Sequence, residues 1–115
     1  MTKQALELAA AVLRDNGKLS AEETIASADS DYIIGKYRSK LEDWREEGLV
    51  YWSYNEIPEV VFDTLSALVW NEVSNAFGVR VTPEDRVQRE TILLRRLRRH
   101  MGRSKSGFQT KAVFY

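Results

Sequence analysis

The sequence predicts an all-α fold: a small bundle of about four helices around a central helix, with a short extended connector and an extended C-terminal tail. Three observations carry this expectation. Residues 57–78, IPEVVFDTLSALVWNEVSNAFG, form the longest apolar-periodic stretch, opened by a proline and closed by a glycine. Two earlier stretches, 2–15 and 30–47, repeat apolar residues at helical spacing. Residues 82–85, TPED, are the best helix start in the chain and lead into a long basic stretch.

The central helix comes first. Pro58 suits the first helical position, where a missing N–H costs nothing. Gly78 suits the left-handed residue just past a helix end. Val61, Leu65, Leu68 and Ala76 make one stripe, and Phe62, Val69, Val73 and Phe77 adjoin it. So wide an apolar arc needs cover from more than one side.

The other elements supply that cover. The first helix, 2–15, turns Leu6, Ala9, Ala10 and Leu13 to one face and stops at Asn16-Gly17. Ser20 and Glu23 have capping-box spacing, but no apolar stripe follows. A short helix from Ala21 and a loop with one helical turn both fit. Asp29 or Ser30 caps a second helix to Glu47, with the stripe Ile33, Tyr37, Leu41 and Trp44 flanked by Ile34. Gly35 within it costs about 1 kcal/mol relative to alanine, which suggests a close backbone contact. Gly48 is its terminator. Residues 49–54, LVYWSY, are β-prone and read as the connector, laying Val50 and Trp52, or Tyr51, over the bundle.

The last helix starts with Thr82 as cap, Pro83 in first position and Glu84 and Asp85 complementing the dipole. It runs to about Met101 with Val87, Thr91, Leu94, Leu97 and Met101 inward, and Gly102 ends it. Residues 1–103 thus form the bundle domain and 104–115 a partner-docking tail.

Composition narrows the function classes. A chain of 115 residues is one domain, and at that size it buries roughly 60–70% of its unfolded surface. With no cysteine there are no disulfides or thiolate metal sites, and a reducing compartment fits. No apolar run approaches the ~18 residues of a membrane span, and no signal-peptide core opens the chain, so a soluble, unexported protein is expected. Net charge is zero, yet residues 1–79 hold seven Lys/Arg against fourteen Asp/Glu, and residues 80–115 hold ten against three. Such polarisation suits a polyanion or the acidic part of a neighbour.

Catalysis finds little support, and no cofactor or metal motif is present. His100, the only histidine, sits in RRLRRH, where a second positive charge is disfavoured and a helix-end role suffices. The carboxylate pairs at Glu22-Glu23, Asp29/Asp31, Glu42-Asp43 and Glu46-Glu47 read as caps and solvated faces. There is no glycine-rich phosphate loop and no nucleophile elbow. Trp44, Tyr51, Trp52, Tyr54 and Trp70 read as core or connector packing, with a protruding interface anchor the alternative for Trp70.

Two features rise above this background. Arg95, Arg96, Arg98 and Arg99 crowd around Leu94 and Leu97, with Arg95 and Arg99 one turn apart, and Arg103 and Lys105 continue the run. They suit phosphates, an acidic neighbour, or a solubilising helix end that matches the dipole. The tail then closes on Ala112, Val113, Phe114 and Tyr115, an apolar β-prone segment that suits a groove or sheet on a partner, or the subunit's own bundle.

A winged helix-turn-helix-like DNA-binding domain is one reading of residues 20–54. There Lys36, Arg38 and Lys40 would face the duplex and EEGLVYW would turn into a wing. Asp29, Asp31, Glu42, Asp43, Glu46 and Glu47 surround that helix and oppose a phosphate backbone.

A second reading covers nearly the whole chain. ALELAAAVLRDNG is followed by a helix ending LEDWREEGLVYW, then EIPEVVFDTLSALVWNEVSNAFG, then an arginine-rich helix and the terminus AVFY. This order resembles the head-to-tail adaptor proteins of tailed bacteriophages, especially the tail accessory factors of short-tailed phages. Trp44, Gly48, Ile57-Pro58 and Phe77-Gly78 match the pattern best; the chain lacks the longer extensions of some members. The resemblance implies a subunit made in the host cytoplasm and built into the virion at the head-tail junction. There it forms a ring, usually of twelve, beneath the portal protein. The ring extends the channel for packaged DNA, helps retain that DNA and offers a platform for downstream tail proteins. The portal- or neighbour-binding residues are then Arg95, Arg96, Arg99, Arg103, Lys105, Phe108, Phe114 and Tyr115.

Overall fold

Residues with an apolar arc on several sides must be enclosed, and the central stretch is. The computed structural model describes the backbone of residues 2–113 and the side chains of residues 2–100. Its helices are α1 (Ala5–Asp15), α2 (Ser27–Glu46), α3 (Glu59–Val73) and α4 (Pro83–Val113). Two-residue strands β1 (Thr2–Lys3) and β2 (Ile57–Pro58) pair antiparallel, Thr2 opposite Pro58 and Lys3 opposite Ile57. The α3 helix packs on α1, α2 and α4, and buries Val61, Leu65, Leu68, Val69 and Val73. The all-α bundle around a central helix is therefore the observed fold.

Both ends of the central helix differ from expectation. Pro58 has φ −61° and ψ 138° and is the N-cap. Its extended ψ is what pairing with β1 requires, so the first helical residue is Glu59. After Val73 the chain tightens into a 3-10 turn, Ser74–Phe77, and Gly78 closes it at φ +85° as anticipated. A 3-10 turn advances about 120° per residue instead of 100°. That extra rotation swings Ala76 out of the expected stripe into solvent.

The first helix starts at Ala5, because Thr2 and Lys3 are held in β1. Its first N–H donates to Asn55 Oδ1 at 2.9 Å, a cap supplied from fifty positions downstream. The buried face is Ala5, Leu8, Ala9, Val12 and Leu13, while Leu6 points outward. Facing α2 and α3 together places the centre of the arc on Ala9 and Val12. The Ser20 N–H does donate to Glu23 Oε1 (3.0 Å), as the capping-box spacing suggests. No helix follows it, since residues 21–26 offer no apolar face to bury.

In α2 the stripe Ile33, Tyr37, Leu41 and Trp44 is buried as expected. The helix begins at Ser27, ahead of Asp29, with the Ser30 hydroxyl donating to the Ser27 carbonyl. The close contact expected at Gly35 is absent: a Cβ there meets nothing within 4 Å, and φ is not positive. Gly35→Ala is therefore expected to stabilise the fold by about 1 kcal/mol, raising Tm by a few degrees in a thermal melt.

The connector lies over α2 without forming a strand. Val50 and Trp52 are buried and Tyr51 is exposed. Trp52 Nε1 donates to the Tyr37 hydroxyl (3.2 Å), which donates to the Tyr54 carbonyl (3.2 Å), and Arg45 donates to the Trp52 carbonyl (2.7 Å). Burial pushes the Tyr37 phenol up to about 12, with the Trp52 bond and the Arg45 charge pulling back. Below pH 10 the phenol is neutral in both folded and unfolded chains. Above it the unfolded chain ionises first, so stability falls between pH 10 and 12. By pH 11 the loss from this group is about 1.4 kcal/mol, the equivalent of one pH unit. Urea melts at pH 8 and pH 11 should show Tyr37→Phe losing that much less on the alkaline side than wild type, with Lys40 common to both proteins.

The α4 helix departs most. Thr82 Oγ1 caps it, accepting from the Asp85 N–H at 3.2 Å. It does not end at Gly102 but continues to Val113, so the stretch expected as an extended tail is helical through that residue. No proline follows Pro83, and lengthening an existing helix needs no new nucleus. Two glycines at about 1 kcal/mol each do not stop it. Its inward face is also rotated. Leu97 is buried and Leu93 and Leu94 half-buried, whereas Val87 is 62% exposed and Thr91 lies outside. Polar bonds set this rotation: Asn71 Nδ2 donates to the Arg86 carbonyl (3.0 Å), and Lys40 holds Glu90 at 3.2 Å. The inward position expected for Met101 falls outside the described side chains.

Candidate assembly surface

A helix with one buried stripe must leave its other sides to solvent, and on α4 those sides are arginine. Leu97 is fully buried against the core. Around it Arg95, Arg96, Arg98 and Arg99 are all exposed. Arg95 and Arg99 stand one helical turn apart, and Arg96 and Arg99 share a neighbouring face. Among the described residues, none of these four makes an ion pair or a side-chain hydrogen bond. Arg98, expected beside the core stripe, belongs to the same exposed surface. The side chains of Arg103, Lys105 and Phe108 lie outside the described residues, as do Phe114 and Tyr115 entirely.

Carboxylates gather where α2 ends. Asp43, Glu46, Glu47 and Glu90 line a hollow floored by Trp44 and Leu94. Within it one cation is committed: Lys40 lies 3.7 Å from Glu72 and 3.2 Å from Glu90, joining α2, α3 and α4. Burial opposes the Lys40 charge more than any other single influence, yet Glu72, Glu90 and Asp43 together outweigh it and raise its pKa. Asp43, Glu46 and Glu47 have no ion pair among the described residues. Excess charge of each sign is thus left uncompensated within one subunit.

Of the residues that would read DNA in the winged-helix alternative, Lys40 is committed within the bundle, while Lys36 and Arg38 remain exposed beside aromatic rings. Lys40 is bound to two carboxylates. Arg38 stacks 4.3 Å over the Tyr54 ring, and Lys36 lies 5.9 Å over Tyr32. No hairpin follows α2 among the described residues, which contain only the β1–β2 pair.

A groove between α3 and α4 escaped sequence reasoning. It encloses about 340 Å³ over Ala67, Trp70, Ile92 and Leu93, with Asp15 and Asp63 among its lining. Trp70 stacks on Phe77 with ring centroids 6.4 Å apart, so it edges this groove and does not protrude. The signal available beforehand was Trp70 itself, a large aromatic near the middle of the central helix. Among the described residues no helix is long and apolar enough to cross a membrane. Compared with known proteins, the chain matches no family model, no curated protein and no solved structure.

Proposed function

We propose that this chain is a non-catalytic head-to-tail adaptor subunit of the short-tailed bacteriophage type. In this reading it assembles as a ring beneath the portal protein, extends the channel for packaged DNA and presents a platform to later tail proteins. The observation that carries the reading is the exposed arginine surface of α4, left without internal partners while carboxylates at the end of α2 are also unpaired. A subunit with surplus charge of both signs suits a heterologous contact that closes by rotation. The length of α4 adds support: 31 residues span about 46 Å, more than the bundle needs to cover its core. Arg95, Arg96, Arg99, Arg103 and Lys105 then meet carboxylates of the portal or of a neighbour, and Phe108, Phe114 and Tyr115 anchor in the portal.

The test is to mix the purified chain with portal rings and weigh the product by native mass spectrometry. A stoichiometric ring on the portal is expected at micromolar concentration. Its absence there, at low and moderate salt, would sink the adaptor reading.

A further inference from the structure

The groove between α3 and α4 has a chemistry that its own subunit does not satisfy. Its floor of Ala67, Trp70, Ile92 and Leu93 is apolar, and Ile92 remains 46% exposed. Asp15 and Asp63 line it with no ion pair among the described residues, and Arg89 is its one cation. Asn71 lines it too: the residue is 3% exposed, and its Oδ1 has no donor among the described residues. An occupant that fits brings an apolar or aromatic side chain with a cation beside it.

Residues 104–115, SKSGFQTKAVFY, have that composition: Phe108, Phe114 and Tyr115 with Lys105 and Lys111, and no acid. The described backbone of this segment, residues 104–113, runs away from the groove of its own subunit. The α4 helix is continuous from the groove wall at Leu93 through Val113, so at 1.5 Å per residue Phe108 lies ~22 Å further along the axis. We propose that the groove receives the C-terminal segment of a second copy of this chain, as a trans contact between free subunits. Apolar burial supplies the affinity, and Asp15 and Asp63 favour a basic segment over a neutral one. In the free chain this contact shields the aromatic segment until another partner takes it. The proposal does not rest on the adaptor reading, and its test uses the chain alone.

Because the chain has no cysteine, single-cysteine variants report the contact directly. Full-length Ala67→Cys and Phe108→Cys are mixed and mildly oxidised, with Glu42→Cys plus Phe108→Cys as the control pair. The 67–108 disulfide dimer is expected to form about tenfold faster than the control, as local concentration requires. Equal rates overturn the proposal. So does a double variant, Ala67→Cys/Phe108→Cys, that closes within a single chain at high dilution, or cross-linking that appears only after portal rings are added. Ala67 is an exposed helical position, so Ala67→Arg obstructs the groove without touching the core. With its circular dichroism melt unchanged, self-association by sedimentation equilibrium should weaken about tenfold. An unchanged association constant overturns the proposal as well.

Discussion

Trp44→Ala is expected to cost about 3–5 kcal/mol, the range for deleting a large aromatic side chain from a packed core. Trp44 is 1% exposed in the last turns of α2 and belongs to the single cluster that also holds Leu41, Leu49 and Val50. Lys40 Nζ lies 5.8 Å over its ring, so the same indole floors the Lys40–Glu90 bridge between α2 and α4. Removing it opens a cavity and loosens the bridge together. Small domains typically have only about 5–15 kcal/mol in total, so the variant should be partly unfolded at 37 °C. Urea titration followed by circular dichroism checks this. Trp44→Phe, which keeps an aromatic ring, should lose much less. A Trp44→Ala midpoint within experimental error of wild type would show that the cluster does not depend on this residue.

The second large effect concerns assembly. The triple reversal Arg95→Glu, Arg96→Glu, Arg99→Glu should leave the melting curve close to wild type, because all three side chains are exposed. Under the proposed adaptor reading, association with portal rings should fall by about a hundredfold at low salt. Salt screens such contacts over about 10 Å at 0.1 M, so the gap between wild type and variant should narrow as ionic strength rises. Native mass spectrometry across a salt series measures both. Full binding by the folded triple variant would remove the arginine surface from the mechanism and leave only the C-terminal segment. A variant that fails to fold would instead place these arginines in the stability of α4.

Much of the bundle was legible because its signals are local. The stripe Ile33, Tyr37, Leu41, Trp44 recurs at helical spacing, and each member is buried. Thr82 ahead of Pro83 announced a cap, and the hydroxyl makes that bond. The arginine run needed only adjacency to be noticed. The rotation of α4 was not legible in the same way. Val87, Ile92, Leu93, Leu94 and Leu97 point to several sides of one helix, so periodicity alone leaves its inward face undetermined. Asn71, Lys40, Glu72 and Glu90 decide it, and they come from three different helices.

The sequence by itself therefore determined the class of fold, the Thr82 cap, the Gly78 stop and the residues of the charged surface. These depend on neighbours within a turn or two along the chain, where spacing fixes geometry. The tertiary structure alone decided that Asn55 caps α1, that Pro58 stays extended to pair with Thr2, and that Ala76 leaves the core. It also decided that α3 and α4 leave a groove between them, bounded by Asp15 from the end of α1. Each of these is a pairing between groups far apart in the chain. Its free energy exists only once packing has brought both partners together.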